Sequence, residues 1–142
     1  MKLTSKGRYA VTAMLDIALN QASGPITLSM ISERQDISLS YLEQIFAKLK
    51  KSDLVLSARG PGGGYRLSRD ASQISVSQII TAMNENMDSR KCKGKQNCQG
   101  GVECLSHELW SDLSDMIDGF LEHISLQQLI DKRSKVKEIK FA

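Results

Sequence analysis

Ile37-Ser38-Leu39-Ser40-Tyr41-Leu42-Glu43-Gln44-Ile45-Phe46-Ala47-Lys48-Leu49-Lys50-Lys51, followed after two residues by Leu54-Val55-Leu56-Ser57-Ala58-Arg59-Gly60-Pro61-Gly62-Gly63-Gly64-Tyr65-Arg66-Leu67-Ser68, decides the fold. The first half places Leu42, Ile45, Phe46 and Leu49 on one face at helical spacing, which predicts a helix from about Leu39 to Ser52. Its opposite arc carries Ser40, Glu43, Gln44, Ala47 and Lys51, flanked by Tyr41 and Lys48. The second half alternates, turns through a Gly-Pro-Gly run and returns, the pattern of a β-hairpin.

Upstream, Val11, Met14, Leu15, Ala18 and Leu19 form an apolar stripe over 5–22, predicting a first core helix. Gly24-Pro25 ends it, and Thr27 is placed to cap a short second helix reaching Gln35. Asp36-Ile37-Ser38 is then a brief break before the third helix. Two short helices across a tight turn, the second closing in Lys48, Lys50 and Lys51, make a helix-turn-helix, and a hairpin directly after it is a wing. The glycine run does not fit a dinucleotide fingerprint, because Tyr65 stands where the third glycine would fall. Nor does Gly-Lys-Ser/Thr follow for a phosphate loop.

This arrangement predicts contacts to double-stranded DNA. Ser38, Ser40, Tyr41 and Gln44 stand at the entrance of the third helix, where short polar groups reach base edges and Gln pairs with adenine. Lys48, Lys51 and Arg59 are expected to hold the backbone, and Arg59 and Arg66, beside the glycines, to approach phosphates or a narrow minor groove. Glu43 has two readings: a capping box with Ser40, or an acceptor from cytosine that disfavours wrong sites. Charge agrees, since residues 1–70 hold ten Lys or Arg against six Asp or Glu while the whole chain is only +3.

Downstream, Ser75-x-x-Gln78 is a capping box for a fourth helix bearing Val76, Ile79, Ile80 and Met83. The longest helix is expected from about Glu103 to Ile124. Leu109, Leu113, Met116 and Phe120 form one seam on it and Trp110, Ile117, Leu121 and Ile124 a second. Two seams call for two partners, one in the chain's own core and one in a second copy, with Gly119 allowing close approach. A short helix at 125–130 and a polar tail from 132 follow. The organisation expected is mainly α with a small hairpin: a winged helix-turn-helix region at 1–88, a ligand loop at 89–107, a dimerisation helix and short following helix at 103–131, and a mobile tail at 132–142.

All three cysteines, Cys92, Cys98 and Cys104, lie in one polar loop with five residues between neighbours, and His107 follows three positions after the last. Thiols among Lys91, Lys93 and Lys95 favour the thiolate form. Free cysteine otherwise prefers burial, so three in a polar loop point to a metal centre. The spacing lacks the tight knuckles of structural zinc sites, which favours an iron-sulfur cluster and leaves zinc as the alternative. His107 is preferred to His123 because it stands about one helical turn beyond Cys104, whereas His123 continues the first seam. A chain of 142 residues, 41% hydrophobic, is one domain's worth. It shows neither a signal segment nor an apolar run of membrane length, and its odd cysteine count fits a reducing compartment, so a cytoplasmic protein is expected.

Leu3-Thr4-Ser5-Lys6-Gly7-Arg8-Tyr9-Ala10, Ile37 to Gln44, Arg59 to Tyr65 and the Cys92, Cys98, Cys104, His107 loop together resemble the IscR family of iron-sulfur cluster regulators, from residue 1 to about 131. The resemblance implies a dimeric winged-helix transcription regulator that binds a [2Fe-2S] cluster through those four residues and controls cluster-assembly genes. It implies operators as partners, with no membrane and no small-molecule substrate. A zinc-dependent winged-helix factor is the alternative. A cluster-bearing redox enzyme is poorly supported, because the chain shows no nucleotide motif and has only two histidines.

Overall fold

In the computed structural model, residues 3–84 and 105–141 are described as backbone, with side chains to Lys135. Helix α1 spans Ser5–Asn20, α2 Leu28–Gln35, α3 Leu39–Lys51, α4 Val76–Ala82, α5 His107–His123 and α6 Leu126–Phe141. Strands β1 (Val55–Ala58) and β2 (Gly64–Leu67) pair antiparallel, with Val55 opposite Leu67 and Ala58 opposite Gly64. Among the described residues the protein is thus mostly helical with one two-stranded hairpin. No helix among the described residues is long and apolar enough to cross a membrane.

The core lies where α1, α2, α3, α4 and the base of the hairpin meet. Phe46, Met14, Ile17, Ile31, Leu42, Ile45, Leu49, Ile74 and Ile79 are fully buried there. The stripe expected on α1 is rotated in the structure. Ala10, Ala13, Met14 and Ile17 face inward with Gly7, whereas Val11, Leu15 and Ala18 are half-buried and Leu19 is exposed. Small side chains let neighbouring helices approach this face closely, so α1 buries Gly7, Ala10 and Ala13 beside Met14 and Ile17 and leaves Leu19 outside. Asp16 shares the inward face, 2% exposed.

Helix starts follow the sequence closely. Thr27 Oγ1 accepts from Met30 N at 3.2 Å. Ser75 Oγ accepts from Gln78 N at 3.2 Å while Gln78 Oε1 accepts from Ser75 N at 3.0 Å, completing the expected box. A second box, which the sequence reading missed, opens α6: Ser125 Oγ accepts from Gln128 N and Gln128 Oε1 from Ser125 N. The two starts are stitched together, Val76 N donating to Ile124 O at 2.9 Å and Leu126 N to Ile74 O at 3.0 Å. Leu126 is fully buried in the same core. Helix α6 is therefore anchored on the winged-helix body. It continues through Phe141, where a short helix ending near 130 and a tail were expected.

Helix α5 begins at His107, four residues later than the expected start near Glu103. It packs against α4. Its second seam is half-buried at Ile117, Leu121 and Ile124, with Trp110 more exposed. The first seam faces outward: Leu109 is 59% exposed, Met116 72% and Phe120 65%, and Leu113 is half-buried.

Candidate nucleic-acid interface

Asp36 adopts a left-handed conformation (φ 54°, ψ 49°) that stops α2 and turns the chain. Ile37 then drops into the core, and Ser32 Oγ donates to Ile37 O at 2.6 Å across the turn. Ser38 caps α3, its Oγ accepting from Tyr41 N at 3.2 Å. The capping box weighed for Ser40 and Glu43 is therefore not formed, because the helix starts two residues earlier and Ser38 holds the cap. Ser40, Glu43, Gln44 and Lys51 are exposed, Lys48 is half-buried, and the opposite face is closed by Leu42, Ile45, Phe46 and Leu49. Tyr41 is half-buried and meets Tyr9 edge-on, with ring centroids 5.7 Å apart and planes at 89°. That contact brings the first turns of α1 beside the recognition helix. In the sequence Tyr9 shows only as an aromatic next to Arg8 in the basic start.

The wing is fixed by its glycines. Gly60 O accepts from Gly63 N at 2.9 Å, with Pro61 second and Gly62 (φ 76°) third in the turn, the arrangement that suits a type II turn. At Gly64, φ is 147°, and an added Cβ would lie 2.6 Å from the backbone of Ile26. The close approach has a purpose. Ile26 N donates to Tyr65 O at 2.9 Å and Tyr65 N to Ile26 O at 2.7 Å, so the segment before α2 extends the hairpin by one bridge. Gln21 Oε1 accepts from Leu67 N at 3.0 Å, and the Tyr65 ring lies 4.8 Å from that of Phe46. Arg59 and Arg66 are both exposed on this anchored hairpin.

The structure thus places all nine DNA-contact candidates on α3, its cap or the wing. Of the four ligand candidates only His107 is described. It is the first residue of α5 and is 9% exposed. Cys92, Cys98 and Cys104 lie outside the described residues, and no group of three metal-binding side chains occurs among the described ones. His123, the candidate set aside, is exposed, its Nδ1 2.6 Å from Gly119 O.

A capped helix with a polar outer arc, set by a tight turn against a shorter helix and flanked by a basic, glycine-turned hairpin, defines a winged-helix DNA-binding transcription regulator. The chain belongs to the Rrf2 family, described as iron-dependent transcriptional regulators, whose profile matches residues 3–132. It is 60% identical over 133 residues to the HTH-type transcriptional regulator IscR of Cronobacter sakazakii, covering 94% of this chain and 82% of that one. Among solved structures it is similar to T. potens IscR, with a TM-score of 0.80 and 32% identity over 96% of this chain and 90% of that one. It is also similar to CymR, the global cysteine regulator of B. subtilis, with a TM-score of 0.82 and 29% identity over 93% and 98% of the two chains. The family is one of regulators, not enzymes.

Proposed function

We propose that the chain is a cytoplasmic homodimer that binds double-stranded operators through α3 and the wing, holds a [2Fe-2S] cluster through Cys92, Cys98, Cys104 and His107, and adjusts cluster-assembly genes to its cluster occupancy. The observation that carries the reading is the position of His107. This donor is buried at the first residue of α5, whose outward seam of Leu109, Met116 and Phe120 is apolar. A ligand held by His107 therefore acts on the start of the helix expected to pair with a second copy, and through α4 on the winged-helix body.

Three thiolates and a neutral imidazole fit a cluster chemically. They leave the site one charge less anionic than four thiolates would, and histidine ligation raises reduction potential. The imidazole must be neutral to ligate, so occupancy competes with protonation. When bound, the cluster supplies a centre whose presence reports cluster supply. On the DNA side, Gln44 reads adenine, Ser40 and Glu43 reach neighbouring base edges, and Lys48, Lys51, Arg59 and Arg66 meet the backbone.

Iron, sulfide and visible-absorption measurements on anaerobically purified protein test the metal, together with Cys92→Ala, Cys98→Ala, Cys104→Ala and His107→Ala. Wild type should be coloured, with equal iron and sulfide. Each variant should lose or destabilise the cluster, remain folded, and change affinity for some operators only. Colourless zinc protein, or equal binding of every operator with and without the cluster, overturns the reading.

A further inference from the structure

The inward face of α1 carries one charge, and what it holds is the end of α2. Arg34 donates from Nε to Asp16 Oδ2 at 3.0 Å and from a terminal nitrogen to Oδ1 at 2.6 Å, a two-pronged pair. Gln35 adds a third bond, Nε2 to Oδ2 at 2.8 Å. Burial pushes the Asp16 carboxyl up, but these bonds and the Arg34 charge outweigh it, leaving the group below the ordinary aspartate range and ionised at neutral pH. Arg34 and Gln35 are the last two residues of α2, and only Asp36, Ile37 and Ser38 separate them from α3.

The pair is only half-buried, with the Asp16 side chain enclosed and that of Arg34 39% exposed, and such a pair adds little net stability, because solvent screening on one side and desolvation on the other offset the attraction. A forked guanidinium-carboxylate pair does, however, fix direction as well as distance. The clamp sets the roll of α2 on α1, and the left-handed Asp36 and buried Ile37 carry that setting into α3. We infer that Asp16 is a positioning residue for DNA recognition: acting through Arg34 and Gln35, it sets the angle at which α3 presents Ser40, Glu43 and Gln44 to base edges, without touching DNA itself.

This inference rests on the proposed contact of Gln44 with a base pair, and the experiment separates the two. The probe is the duplex that the full-length wild-type chain selects from a randomised pool, compared with the same duplex changed at the base pair whose preference Gln44→Ala relaxes. Binding is measured at a temperature where circular dichroism shows every variant folded. Asp16→Asn and Arg34→Lys should each lower the preference of the selected duplex over its changed partner by about tenfold. Combined with Gln44→Ala they should add little further loss at that base pair. If Asp16→Asn does not fold, Arg34→Lys and Gln35→Ala decide. Folded variants that melt lower yet keep the wild-type preference overturn the inference. If Gln44→Ala relaxes no base pair, the contact reading itself fails, and the inference with it.

Discussion

The wing and α5 treat their unusual residues in opposite ways. In the wing the glycines are answered within the chain, although Leu56 on β1 stays 56% exposed: Gly62 and Gly64 adopt positive φ, and Gly64 leaves room for the bridge to Ile26. Tyr65 packs on Phe46. On α5, Leu109, Met116 and Phe120 face outward, and no described residue lies where a Cβ on Gly119 would go. The wing's glycines and its aromatic ring have their partners among the described residues, whereas three apolar residues of the α5 seam stay exposed. Apolar residues at seam spacing that the chain leaves exposed fit a second copy, which the proposed dimer supplies.

The largest effect should come from breaking α5. Phe120→Glu places a charge in the exposed seam, costs the single chain little, and should yield monomers by analytical ultracentrifugation. Operator affinity should then fall by roughly 10²-fold or more, because two half-sites no longer bind as one unit. A folded monomer with undiminished affinity would refute the dimer.

A pair of matched substitutions sharpens the contrast at smaller scale. Gly64→Ala meets the Ile26 backbone and a positive φ together, so thermal unfolding should show a loss of roughly 1–3 kcal/mol or more. Gly119→Ala has nothing to meet among the described residues and should gain up to about 1 kcal/mol from helix propensity. If the proposed dimer packs against Gly119, the substitution should appear as weaker dimerisation rather than lower monomer stability.

The same contrast explains what could be read from the sequence. Caps, the hairpin and the α3 face were legible because each depends on residues close in the chain: Thr27 on Met30, Ser75 on Gln78, Leu42 on Ile45 and Phe46. The inward face of α1 was legible only at Met14, with Val11, Leu15 and Ala18 at its edge. Its burial depends on small residues that carry little hydrophobic signal, and on Asp16 finding Arg34 eighteen residues later. The late start of α5 and the length of α6 were missed for related reasons. Leu105 and Ser106 form a turn that no breaker residue marks, and the stretch after Ile130 shows no apolar stripe. For the candidate interface, the exposure of the α3 arc and of the two wing arginines was legible. Tyr9 was not, since only the fold brings it to Tyr41.

The smallest expected effect lies within the wing, where Arg59 and Arg66 are both exposed yet differ in place. Arg66 sits inside β2 opposite Leu56, so its backbone is held by the ladder. Arg59 follows the last residue of β1 and precedes the turn at Gly60, at the hairpin's tip. A tip enters a groove before its flanks do, so Arg59 should make the more consequential phosphate or minor-groove contact. Arg59→Ala should weaken binding across all sequences and reduce the slope of log affinity against log salt by about 1, the signature of one lost phosphate contact. Arg66→Ala should change that slope by less, with base preference unaltered in both, as expected of residues that meet the backbone rather than a base edge in the major groove. Equal slopes for the two variants would show that the flank, and not only the tip, meets the duplex. An unchanged slope for both would remove the wing from the interface and leave α3 to carry it alone.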